Sequence, residues 1–98
     1  MIKIPAIDPS TRIINTVLAP YFKQIVNEVR PLSDTRRHMA LRTYRAYLEK
    51  EAQKTSSIAL RMQLRINLVA LLDRFDYNGS RSEGATVLPK HMGLQYEI

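Results

Sequence analysis

An all-α fold is what this sequence predicts: a small three-helix protein with an irregular C-terminal tail. Three observations lead there. Apolar residues recur at helical spacing over Ile13–Val29, a Ser/Asp pair opens a second periodic stretch at Ser33-Asp34, and a third apolar stretch runs for about eighteen residues from Ile58. Ninety-eight residues make one domain at most. The boundaries read from the pattern are a helical domain over 1–76 and a tail over 77–98 able to dock on it.

Residues 1–7 form a short apolar lead-in. Asp8-Pro9 then reads as a helix start, with Asp8 as N-cap and Pro9 at the first helical position, where its missing N–H costs nothing. Ile13, Ile14, Val17, Leu18, Tyr21, Phe22, Ile25, Val26 and Val29 make one face of the first helix. Pro20 cannot bond back to Thr16, which predicts a kink or short break, and Pro31 ends the element.

The second helix runs from Ser33 or Asp34 to about Lys54, with a narrow core face of Leu41, Tyr44, Leu48 and Ala52. His38, Arg42, Arg45 and Glu49 lie along one flank, and Arg36, Lys50 and Lys54 along another. Thr55-Ser56-Ser57 marks a cap or bend.

The third segment carries two patterns. Ile58, Leu60, Met62, Leu64, Ile66 and Leu68 alternate with other residues as in a strand, yet Leu, Arg, Met, Gln and Ala dominate and the pattern continues to Phe75. Length favours a helix. As a helix it has two apolar stripes: Leu60, Leu64, Leu68, Leu71 and Phe75, and Ile58, Met62, Ile66, Val69 and Leu72. One stripe suffices for a bundle, so the other suggests a homo-oligomer or protein partner; Leu60, Leu64, Leu68, Leu71 and Phe75 are the candidate interface. After Asp76 the helical period vanishes.

Read instead as a strand, Leu60-Arg61-Met62-Gln63-Leu64-Arg65-Ile66 resembles the DNA-reading ribbon of ribbon-helix-helix repressors. Gly79-Ser80-Arg81-Ser82-Glu83 resembles the turn and second-helix start of that family. The resemblance implies that Arg61, Gln63 and Arg65 enter the major groove over a layer of Met62, Leu64 and Ile66. It covers about a third of the chain. Two departures stand against it: the helix between Arg65 and Gly79 is about a turn too short, and Gly84 and Pro89 interrupt the second helix.

Charge supplies the functional signal. Between Arg36 and Arg65 lie eight cations (Arg36, Arg37, Arg42, Arg45, Lys50, Lys54, Arg61, Arg65) and two anions (Glu49, Glu51). That segment alone carries the net charge of +6, and the rest of the chain sums to zero. Localised positive charge points to nucleic acid as partner. The like-charged pairs Lys50/Lys54 and Arg61/Arg65 suit phosphate contacts, and Tyr47 could stack on bases, whereas Tyr44 shares the core face. The alternatives are a structural or assembly subunit of a larger complex, such as a virus particle, and an inhibitor or adaptor docking on an acidic protein.

Enzymatic chemistry finds no support. Cysteine is absent, His38 and His91 are 53 residues apart, and His38 has a surface partner at hand in Asp34 one turn earlier. Gly79–Thr86 has P-loop glycine spacing, but Ala85 stands where the lysine is needed. No cofactor, metal or small-molecule substrate is expected. No apolar run fits a signal peptide or membrane span, so the expectation is a cytoplasmic protein with no membrane partner; the Asn78-Gly79-Ser80 glycosylation triplet is then chance.

Overall fold

The computed structural model describes residues 1–8 and 13–77, which form three helices and, among these residues, no strand. They are α1 (Ile14–Val29), α2 (Asp34–Lys54) and α3 (Ile58–Arg74). The tail expected over 77–98, with its P-loop-like and glycosylation motifs, lies outside the described residues from Asn78 onward.

The helix start expected at Asp8-Pro9 falls on residues 9–12, which lie outside the described residues. Regular α1 begins at Ile14, after an Ile13 that makes no side-chain cap bond. The lead-in is an arm held by tyrosine hydroxyls. Ile2 N–H donates to Tyr44 Oη (2.7 Å), Ile4 N–H donates to Tyr47 Oη (2.8 Å), and Tyr21 Oη donates to the Ile2 carbonyl (2.9 Å). Ile2, Ile4 and Ile7 are half-buried and pack against the core. Helix α1 runs through Pro20 without a break. Thr16 and Pro20 are both on the exposed side, where water can take the carbonyl that proline leaves unbonded.

The second helix follows the sequence pattern closely. Ser33 is the N-cap, its Oγ accepting from the Arg36 N–H at 3.3 Å, and Asp34 adds a carboxylate to the first turn. Leu41, Tyr44, Leu48 and Ala52 are its buried residues. Ser57 caps α3 in the same way, with Oγ accepting from Leu60 N–H at 3.1 Å, and Thr55 Oγ1 accepts from Ser57 N–H at 3.1 Å. The separate cap divides α2 from α3 without glycine or proline.

Residues Ile58–Leu68 are helical, so the ribbon of the repressor reading does not exist in this chain. Helix-forming residue types and a serine cap outweigh the alternation, which on a helix supplies both stripes. The stripe assigned to a partner is the one the fold uses. Leu60, Leu64, Leu68 and Leu71 are buried with α1 and α2 residues in the core, and Phe75 packs at its edge. The outward stripe holds Ile58, Met62 and Ile66. Periodicity alone cannot decide between two apolar faces on one helix; the position of the other helices does.

Helix α3 ends where the period fails. Asp76 takes a left-handed conformation (φ 55°), and Tyr77 N–H reaches back to the Leu72 carbonyl at 2.8 Å, closing a Schellman-type turn. Asparagine and aspartate tolerate this region better than most non-glycine residues.

Candidate nucleic-acid interface

The eight cations of the basic segment do three different things. Two build the corners between helices. Arg37 lies four residues after the Ser33 cap, and its guanidinium donates to the carbonyls of Val29 (Nε, 3.1 Å), Arg30 (3.1 Å) and Leu32 (2.7 Å). It also pairs with Asp34 at 3.0 Å and lies over the Phe75 ring at 5.7 Å. Arg61 lies four residues after the Ser57 cap and donates to the carbonyls of Ala52 (Nε, 3.1 Å) and Thr55 (2.9 Å). Each arginine thus satisfies carbonyls at the end of the preceding helix and in the corner that follows it. The sequence signal is Ser33-x-x-x-Arg37 repeated as Ser57-x-x-x-Arg61, a pattern hidden by counting all cations alike.

Two more cations pair with carboxylates on their own helix: Arg45 with Glu49 at 3.6 Å, and Lys54 with the half-buried Glu51 at 3.4 Å. Such surface pairs are weak and exchange readily for another anion. The last four, Arg36, Arg42, Lys50 and Arg65, form no ion pair among the described residues. In each like-charged pair one member is engaged in this structure, Lys54 with Glu51 and Arg61 with the corner carbonyls.

The buried face of α2 fixes what points outward. At about 100° per residue, Met39, Thr43, Ala46 and Lys50 lie opposite the Leu41–Tyr44–Leu48–Ala52 face. All four are exposed. Arg36 and Lys54 border this strip on one side and Arg42 on the other, with Arg45 nearer the core. Arg65 stands apart on α3, one turn after Arg61.

The aromatic residues are occupied elsewhere. Tyr44 is 2% exposed; its hydroxyl accepts from Ile2 and donates to Glu28 Oε1 of α1. Tyr47 holds Ile4 and lies under the Lys3 ammonium, 5.4 Å from the ring centroid. His38 lies against Tyr77, with ring centroids 4.5 Å apart and planes tilted by 50°, while Asp34, its expected partner, pairs with Arg37. Base stacking by Tyr47 therefore requires it to give up its contacts with the arm, and Tyr44 is enclosed in the core.

Burial, and then donation to the Glu28 carboxylate, push the Tyr44 hydroxyl up to about 12; burial raises Tyr21 as well. A hydroxyl ionising later in the folded state than in the unfolded chain stabilises the fold fully below pH 10, and that contribution is lost as pH rises from 10 towards 12. Thermal unfolding across pH 8–12 should show a melting temperature falling in that window, with a shallower fall in Tyr44→Phe. A flat profile to pH 12 would contradict this coupling.

A cleft of about 310 Å³ opens between the arm and the α2–α3 corner, lined by Ile4, Ile7, Leu60 and Leu64 with Glu51 and Lys54 at its polar edge. Those two charges pair with each other. Among the described residues no three metal-ligating side chains come together, and no helix is long and apolar enough to cross a membrane. Comparison with protein-family models, curated proteins and solved structures finds no match for this chain.

Proposed function

We propose that this chain is a non-enzymatic protein that associates with nucleic acid through the outward face of α2. The observation carrying this reading is the arrangement of that face: an exposed strip of Met39, Thr43, Ala46 and Lys50 between Arg36 and Lys54 on one side and Arg42 on the other. A major groove about 12 Å wide admits one helix, with phosphates on both walls. Cations on both borders of a helix suit that geometry, because each wall then meets its own positive charge. A helix of 21 residues is about 32 Å long, enough for contacts over about one turn of duplex. Arg45 and Lys54 join by giving up their weak carboxylate partners.

Arg37 and Arg61 have no part in this reading, since their guanidinium groups are engaged at the corners. The contact set is Arg36, Arg42, Arg45, Lys50 and Lys54, with Arg65 as an outlying member. Fluorescence anisotropy on a random-sequence duplex across a salt series should give a log–log slope near −4, or about five phosphate contacts. Arg36→Ala and Arg42→Ala should each flatten the slope by about 0.9. Absence of binding at low salt, where the electrostatic contribution is greatest, would refute the proposal. So would binding unchanged in the triple variant Arg36→Ala/Arg42→Ala/Lys50→Ala.

The alternative of an assembly subunit or adaptor gains from a different observation, the apolar outward face of α3.

A further inference from the structure

The outward face of α3 is apolar along most of its length. Ile58, Met62 and Ile66 are 68%, 54% and 55% exposed. Ala59 and Ala70 are exposed too, and Val69 is half-buried. These six share the side of the helix opposite Leu60, Leu64, Leu68 and Leu71. Ala59, Met62, Ile66 and Val69 are spaced three, four and three, as in a seam where one helix packs on another. The seam itself is uncharged; Arg65 borders it and Asp73 closes it at the C-terminal end.

We propose that this face pairs with itself, joining α3 to α3 of a second copy in antiparallel orientation. The argument for a second copy is that the stripe is complementary in size to its own reverse. About a centre at residue 64, Ile58 falls opposite Ala70 of the second copy, Ala59 opposite Val69, and Met62 opposite Ile66. The ends therefore match large against small, and the two central residues fill the middle. Parallel pairing would set Ala59 on Ala59 and Ile58 on Ile58, leaving a gap beside a clash.

From Ile58 to Ala70 the stripe is about 18 Å long and covers at most about half the roughly 800 Å² per partner of a standard interface. A reversible, concentration-dependent dimer follows. Antiparallel packing brings both Arg65 side chains to the same flank near the two-fold axis, so added salt should strengthen the dimer by screening them. Duplex binding has the opposite salt dependence. The dimer goes beyond nucleic-acid association and does not depend on it.

The chain has no cysteine, so introduced thiols report unambiguously. In the full chain under mild oxidation, Ala59→Cys/Val69→Cys should cross-link into a disulfide dimer. Ala59→Cys alone should not, because its two copies would lie about 15 Å apart. Sedimentation velocity over a concentration series should show the unmodified chain passing from monomer to dimer. Ile66→Lys should raise the dissociation constant at least tenfold, with unchanged helicity by circular dichroism. A chain that stays monomeric at high micromolar concentration would overturn the proposal. So would a dimer indifferent to Ile66→Lys, or cross-linking of Ala59→Cys alone as fast as the double variant.

Discussion

Arg37→Lys should destabilise the protein by about 2–3 kcal/mol, a large effect for a change that preserves charge. The guanidinium serves three carbonyls at the corner between α1 and α2, from Val29, Arg30 and Leu32, and also pairs with Asp34. A lysine ammonium is a single point with three donors and cannot span that fork. With its side chain only 25% exposed, Arg37 is also partly shielded from water that could replace the lost bonds. Arg36, the next residue back, is exposed and forms no ion pair among the described residues; Arg36→Lys should shift stability by less than about 0.5 kcal/mol. Urea titration checks both, and the slope with denaturant should not change. The pair also separates structure from binding. Under conditions where it is folded, Arg37→Lys should bind duplex as the parent does, whereas Arg36→Ala should bind more weakly. An Arg37→Lys midpoint equal to the parent's would show that the corner does not depend on the fork.

Leu64→Ala should cost about 3–4 kcal/mol, a substantial part of the roughly 5–15 kcal/mol that holds a domain of this size. Leu64 is 1% exposed and sits in the middle of α3's buried stripe. Its removal leaves a cavity whose other walls, on three helices and the arm, cannot all collapse inward. The neighbouring cleft lined by Ile4, Ile7 and Leu60 would enlarge with it. Met62→Ala, two residues away on the outward stripe, should change monomer stability by less than about 0.5 kcal/mol when measured at low concentration. Equilibrium denaturation of the two variants decides which stripe is the core. A larger loss for Met62→Ala than for Leu64→Ala would invert the assignment of faces.

These residues show how far one-dimensional pattern reaches. The second helix was legible almost in full: Ser33 caps it, Leu41, Tyr44, Leu48 and Ala52 are its core, and Lys54 is its last residue. Caps and amphipathic spacing act within one or two turns, so their consequences are written locally. The end of α3 near Phe75 was legible for the same reason. The start read at Asp8-Pro9 falls on residues 9–12, outside the described residues, and α1 itself begins at Ile14. Local pattern does not foresee the bonds that tie Ile2 and Ile4 to Tyr21, Tyr44 and Tyr47, residues up to 43 positions away.

The candidate site divides along the same line. Composition located the charge between Arg36 and Arg65, but formal charge does not report which guanidinium is already occupied. Arg36 and Arg37 are adjacent in sequence, and one faces solvent while the other closes a corner.

The sequence by itself therefore determined the helices of this protein, most of their boundaries and the sign and location of its charge, because these follow from contacts within a few residues. Only the tertiary structure decided which apolar stripe of α3 is core, which arginines remain available, and that the N-terminal arm is a strap. Each of those outcomes depends on groups brought together from distant parts of the chain, where burial and hydrogen-bond competition outweigh local preference.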